Sequence, residues 1–113
     1  MTVLVTGATG LLGSHLTELL VERGARVRAF VRPGDSVSRL AHPNVEICRG
    51  DLGDRASLEA AVSGVDRVLH CAARTGPWGA QADYATANVR GLGALVESAL
   101  AAGVRRIVHV SSI

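Results

Sequence analysis

Three glycines at intervals of three, Gly7, Gly10 and Gly13, are the residues in this chain best suited to chemistry. They lie in Thr6-Gly7-Ala8-Thr9-Gly10-Leu11-Leu12-Gly13, between the apolar run Val3 to Val5 and a stretch with Leu12, Leu16, Leu19 and Leu20 at helical spacing. The pattern reads as buried strand, tight turn, helix. Gly7 lets the chain leave the strand in a turn that a side chain would block. Gly10 lets a pyrophosphate approach the backbone, and Gly13 lets the new helix pack closely on the strand. The unpaired N–H groups and positive dipole end of that helix would then face the phosphates. A loop of the Gly-Lys-Ser/Thr kind is excluded, because the chain contains no lysine.

The elements that must position this loop follow from periodicity and punctuation. The first helix is expected from Leu11 to Arg23, stopped by Gly24. Arg26 to Val31 alternates as a second strand, and Arg32-Pro33-Gly34-Asp35-Ser36 breaks it into a loop. Val45 to Cys48 is the third strand. Asp54 is a suitable N-cap for a helix carrying Leu58, Ala61 and Val62 and closed by Gly64. Val65 to Cys71 reads as the fourth strand, followed by a loop from Ala72 to Ala80. A long helix from Gln81 to Ala102 has its apolar face at Val89, Leu92, Val96 and Ala99, and Gly103 ends it. Arg106 to Val110 is the fifth strand. Strands alternating with helices predict a parallel sheet with right-handed crossovers.

With 113 residues the chain is one small domain or a piece of a larger protein. It is 48% hydrophobic but only 3% aromatic, so Val, Leu and Ala must build the core. All twelve basic residues are arginines, scattered along the chain, and the net charge is +2. No basic cluster interleaved with aromatics points to nucleic acid. Neither a leader peptide nor a membrane span is expected, and two isolated cysteines suit a reducing cytoplasm. Cys48 and Cys71, at the ends of strands three and four, are expected to remain free thiols. Three strand spacings are on the order of 14 Å, and bridged Cα atoms lie within about 7 Å. His15, His42, His70 and His109 show neither ligand spacing nor an adjacent acid, so no metal site is expected. Trp78 either lines a substrate entrance or covers apolar surface.

Five motifs in order give the chain a family resemblance. The glycine loop is followed by Gly50-Asp51-Leu52, His70-Cys71-Ala72-Ala73, Asn88-Val89-Arg90-Gly91 and Val110-Ser111-Ser112. Together they resemble the extended short-chain dehydrogenase/reductases of the NAD-dependent epimerase/dehydratase superfamily. Gly76-Pro77-Trp78-Gly79 and Arg32 look most like the dihydroflavonol-reductase and 3β-hydroxysteroid-dehydrogenase-like branch. The resemblance implies a Rossmann-like, doubly wound parallel sheet of order 3-2-1-4-5, truncated before strands six and seven. It implies an oxidoreductase passing a hydride between a nicotinamide cofactor and a secondary alcohol or ketone, with these residues as its NAD(P)-binding portion. Two alternatives stay open: a nucleotide-sugar epimerase or dehydratase with bound NAD, and a non-catalytic dinucleotide-binding sensor.

By the same resemblance Gly7, Thr9, Gly10, Leu11, Leu12 and Gly13 surround the cofactor phosphates. Asp51 accepts from the adenine amino group beside Leu52, although a capping aspartate is the other reading. Ala72 and Ala73 let the backbone approach the adenosine ribose, and Asn88 lies beside the active site. Ser112, with Ser111 as the alternative, holds the substrate oxygen. NADP(H) is favoured and NAD(H) left open: Phe30-Val31-Arg32 ends strand two without a carboxylate, and Arg32, joined by Arg39, can pair with a 2′-phosphate. Leu92 and Ala94 depart from the Thr and Asn common in the family. The tyrosine and lysine of its hydride chemistry are missing, since Tyr84 comes too early and no lysine exists. The 113 residues alone are therefore expected to be inactive and to self-associate through an apolar edge strand, while a homodimer is open for the full-length protein.

Overall fold

The computed structural model describes residues 1–71 and 81–110, with side chains over 1–71 and 89–110. Strand β1, Thr2–Thr6, is the axis of the sheet, with Val3, Leu4, Val5 and Thr6 all buried. It pairs in parallel with β2, Arg26–Val31, on one side and β4, Arg67–His70, on the other. Beyond β2 lies β3, Val45–Arg49, and beyond β4 lies β5, Arg106–His109. The pairing is parallel throughout, as the alternating pattern predicts, and the order is β3-β2-β1-β4-β5, as the resemblance implies. Cys48 and Cys71 are both free thiols.

Alternation along the strands divides the core between the two sheet faces. Leu4, Phe30 and Val68 point to helices α2, Arg55–Val62, and α3, Gln81–Ala102, where they meet Leu58, Ala61, Val62, Leu95 and Ala99. Val3, Val5, Val27, Ala29 and Val31 line the other face with Leu40. That face is covered by helix α1, Leu11–Glu22, and by a short 3-10 turn, Ser38–Leu40, which the sequence pattern does not announce. Asp54 caps α2 as expected, its Oδ1 accepting from the N–H of Ala56 at 3.1 Å.

Arg28 projects from β2 and ties three elements together. Its Nη1 donates to the carbonyls of Ala61 and Ser63, both at 2.7 Å, and its Nε pairs with Glu46 at 2.8 Å. The guanidinium thus satisfies orphan carbonyls at the negative end of the α2 dipole.

Two helix faces differ from expectation. In α1 the buried residues are Gly13, Ser14 and Thr17, whereas Leu11, Leu12 and Leu19 are exposed. The helix lies so close to the glycine turn that only small side chains fit beneath it. Ser14 and Thr17 tolerate this burial by donating to carbonyls of their own helix, Leu11 at 3.1 Å and Gly13 at 2.8 Å. In α3 the buried stripe is Gly91, Leu95, Ser98 and Ala99, and Val89 is 71% exposed, so the face is rotated from the expected one. The fourth strand is shorter than the expected Val65 to Cys71, because Val65 still belongs to the turn out of α2, its N–H bonded to the Val62 carbonyl.

Ser98 carries a buried Oγ with no partner. A desolvated, unpaired hydroxyl costs stability that a methyl group would not. Ser98→Ala is expected to raise the unfolding free energy by about 1 kcal/mol in denaturant titration. A loss of stability would reveal a bond to that hydroxyl.

Candidate functional site

The carboxyl ends of β1, β2, β3 and β4 open into one cleft lined by Gly7, Thr9, Gly10, Phe30, Val31, Arg32, Asp35, Gly50, Asp51, Leu52 and Cys71. It lies beside the point where the strand order reverses around β1, the place where open α/β sheets bind ligands. Gly7 begins the turn with φ of 65°, a left-handed backbone that side chains disfavour. The Gly10 N–H then returns to the Gly7 carbonyl at 3.0 Å.

The first intrahelical bond of α1 runs from the Ser14 N–H to the Gly10 carbonyl at 2.9 Å. The N–H groups of Leu11, Leu12 and Gly13 therefore have no helical carbonyl to meet. No acidic residue stands in this first turn and no side chain caps it, so the positive end of the helix is open to an anion. A Cβ on Gly13 would lie 2.1 Å from the Gly7 carbonyl oxygen, which shows how closely helix and turn are seated.

On the far wall, Asp51 is half-buried, and its Oδ1 accepts from the Gly53 N–H at 2.7 Å. Leu52 packs toward α3, where a Cβ on Gly91 would come within 3.1 Å of the Leu52 side chain. Gly91 is thus the residue that lets the Asp51-Leu52 segment lie against the long helix. Gly50 is similarly tight, since a Cβ there would fall 2.7 Å from the Phe30 ring.

The cleft brings together Gly7, Thr9, Gly10, Arg32, Asp51 and Leu52 of the expected residues. Gly13 lies buried behind the turn, and Leu11 and Leu12 are exposed at the start of α1. Arg39 is placed elsewhere, in a groove with Glu18, Glu22 and His42 beside α1. Ala72, Ala73, Trp78, Ser111 and Ser112 lie outside the described residues, as does the side chain of Asn88.

Three features of the site escape a reading of local sequence. A turn over residues 32–35, closed by the Asp35 N–H on the Arg32 carbonyl at 3.1 Å, folds the Asp35 carboxylate back into the cleft. Arg49, at the end of β3, donates from Nη1 to the carbonyls of Arg32, Pro33 and Asp35 at 3.2, 2.9 and 3.1 Å. Behind the floor, Thr6 Oγ1 lies 2.7 Å from His70 Nδ1 and accepts from the Cys71 N–H at 3.0 Å. Burial, and secondarily the neighbouring His109, pull His70 from 6.5 down to about 4, so its ring is neutral at physiological pH. Burial pushes the Cys71 thiol up, which leaves it protonated and unsuited to act as a nucleophile.

A doubly wound parallel sheet with a glycine-cornered cleft at its reversal point defines a Rossmann-like unit. The chain belongs to the NAD dependent epimerase/dehydratase family, which it matches over residues 3–113. It is 46% identical over 113 residues to sterol demethylase protein B of Methylococcus capsulatus, covering 99% of this chain and 34% of that protein. It is 38% identical over 117 residues to the 2-alkyl-3-oxoalkanoate reductase of Stenotrophomonas maltophilia, covering 99% and 33% respectively. Its fold matches a short-chain dehydrogenase/reductase superfamily protein from Agrobacterium tumefaciens solved with bound NAD. There the TM-score is 0.80 at 34% identity, with 99% of this chain and 33% of that one covered. The chain spans about a third of the length of these relatives.

Proposed function

We propose that these residues are the NAD(P)-binding portion of an oxidoreductase that interconverts a secondary alcohol and a ketone. The observation that carries this reading is the uncapped, acid-free N-terminus of α1 opening beside Gly7 and Gly10 into the cleft. The residues present fit a dinucleotide, since the glycine turn lines an open cleft and a Cβ at Gly10 would already crowd the Gly7 carbonyl at 3.3 Å. The N–H groups of Leu11, Leu12 and Gly13 would take the pyrophosphate, and Asp51, with Leu52 beside it, would receive the adenine amino group. Ala72 and Ala73 would border the ribose. The nicotinamide, when bound, supplies the hydride. Ser112, or Ser111, would orient the substrate oxygen, with Asn88 alongside. The reductase from Stenotrophomonas maltophilia supports a ketone as substrate class. The proton donor would come from outside these 113 residues, which contain no lysine to tune a tyrosine.

NADP(H) is the favoured cofactor in this reading, on the strength of Arg32. Its side chain is 73% exposed at the cleft mouth, its Nε 3.6 Å from Asp35, where the planar fork can meet a 2′-phosphate. In the full-length protein Arg32→Ala is expected to weaken NADPH binding at least about tenfold more than NADH binding, measured by nicotinamide fluorescence titration. Equal losses for both cofactors would remove Arg32 from the role. Asp35, folded into the same cleft, favours a second reading, an epimerase or dehydratase that retains NAD. Turnover that regenerates its own cofactor, with no net change at 340 nm, would select it. The exposed side of β5 and the residue after it, with Val108 and Val110 42% and 38% exposed, supports self-association of the 113 residues on their own.

A further inference from the structure

Arg49 closes β3 with an exposed guanidinium that meets no carboxylate among the described residues. Its Nη1 instead donates to the carbonyls of Arg32, Pro33 and Asp35 at 3.2, 2.9 and 3.1 Å. Three carbonyls around one nitrogen form a negative socket, and a single cation fills it. All three belong to the turn that follows β2, where Pro33 has no N–H to give and Gly34 adds backbone freedom. That turn has one backbone bond of its own, from the Asp35 N–H to the Arg32 carbonyl at 3.1 Å. Its other ties, from the Thr9 hydroxyl and the Arg32 N–H to the Asp35 carboxylate, are both 3.2 Å long. Arg49 stands on a firmer base. It pairs in register with Val31, and the Gly50 N–H beside it bonds to the Val31 carbonyl at 2.9 Å. The side chain therefore fastens an irregular segment to the sheet, and does so without lining the cleft itself.

We infer that Arg49 is a positioning residue, a latch that holds this wall of the cleft in its binding shape before any cofactor arrives. The inference rests on the reading that the cleft binds a nicotinamide dinucleotide. Arg32 and Asp35 both line the cleft while the turn is folded back. With the turn fixed in the free protein, binding does not have to order it, and no affinity is lost to that ordering. Released from Arg49, the turn would sample open forms, and apparent affinity would fall with the fraction of molecules still latched. Arg49 acts on main-chain carbonyls, so its effect is the same for a phosphorylated and an unphosphorylated ribose. The turn follows β2, on the opposite side of β1 from β4 and β5, so the half of the cleft toward β5 lies outside its reach.

The test uses the full-length protein with Arg49→Met, which keeps an unbranched stem but removes every donor. Arg49→Lys is the conservative partner, its ammonium offering three N–H donors to the three carbonyls. Dissociation constants for NADPH, NADH, adenosine 5′-monophosphate and nicotinamide mononucleotide are measured by calorimetry. Exchange of the Asp35 amide hydrogen is followed in the free protein. With the latched form reduced to about a tenth of the population in Arg49→Met, NADPH, NADH and adenosine 5′-monophosphate are all expected to bind about tenfold more weakly. Nicotinamide mononucleotide should bind as before, and Asp35 exchange should accelerate. Arg49→Lys is expected to recover most of the affinity. Unchanged dinucleotide and adenosine 5′-monophosphate affinities in Arg49→Met would overturn the inference. So would an equal loss for nicotinamide mononucleotide, which would mark general damage to the fold. If the wild-type protein binds neither dinucleotide, the cofactor reading itself fails, and Asp35 exchange then decides the latch separately.

Discussion

Gly13→Ala is expected to remove dinucleotide binding and most of the stability margin together. The added methyl carbon would stand 2.1 Å from the Gly7 carbonyl oxygen, 2.7 Å from its carbon and 3.0 Å from the Ala8 Cα. All of these are backbone atoms, so no side chain can rotate away. Either α1 lifts from the turn or the turn opens. Overpacking of a rigid contact costs about 1–3 kcal/mol, and two backbones in opposition place this case at or above the upper end. A lift on the order of 1 Å also displaces the N–H groups of Leu11, Leu12 and Gly13 from the phosphates, which is expected to cost about a hundredfold or more in affinity. Two controls separate these effects. Gly10→Ala meets only the Gly7 oxygen at 3.3 Å, so it is expected to fold nearly normally yet bind weakly. Gly93→Ala meets nothing within 4 Å on α3 and is expected to stabilise the helix by about 1 kcal/mol with no effect on binding. Thermal melts and NADPH titrations of the three variants check the set. A Gly13→Ala protein with native melting temperature and affinity would overturn the close packing of α1 on the turn.

The contrast between what could and could not be read in advance follows from the range of the interactions. The second strand is legible to the residue, because Arg26 to Val31 alternates between the Gly24 stop and the Arg32-Pro33-Gly34 break. The bounds of α3 are equally legible, since period and punctuation are local signals, whereas the order of the sheet comes from the family resemblance. The buried face of α1 is not. Periodicity favours leucines, but next to the turn the helix buries Gly13, Ser14 and Thr17, and of the expected leucines Leu20 packs on the core further along. At the site, the glycine loop announces itself by type and spacing, and Asp51 is singled out by the family resemblance. Asp35 does not, because it follows the strand end by four residues and returns to the cleft only through a turn. Arg28 and Arg49 act on backbone carbonyls brought near by the sheet, and such acceptors leave no trace in sequence. The pairing of Thr6 with His70 spans 64 positions and exists only because β1 and β4 are in register at those residues.

That last pair makes the fold sensitive to acid. His70 is 2% exposed, and its imidazole is held down to about 4, first by burial and then by His109, whose ring centroid lies 5.2 Å away. The unfolded chain binds a proton near 6.5, while the folded chain refuses it until about 4. The folded value is the lower one, so the stability contribution is whole above pH 6.5 and is lost as pH falls from 6.5 toward 4. The full interval corresponds to ~3 kcal/mol. Screening by water around the exposed His109 reduces that to on the order of 2 kcal/mol. Urea-unfolding midpoints taken between pH ~7.5 and ~4.5 are expected to fall across this range in the wild-type protein. In His70→Asn, whose side chain can still reach Thr6 but cannot ionise, most of that fall above pH ~5 should disappear, because the carboxylates titrate mainly below it. NADPH affinity should follow the same divergence, since the strand ends that carry Gly7 and Cys71 are tied through Thr6. A variant with the wild-type pH profile would show that the acid sensitivity resides in other groups and that His70 serves only to fill space.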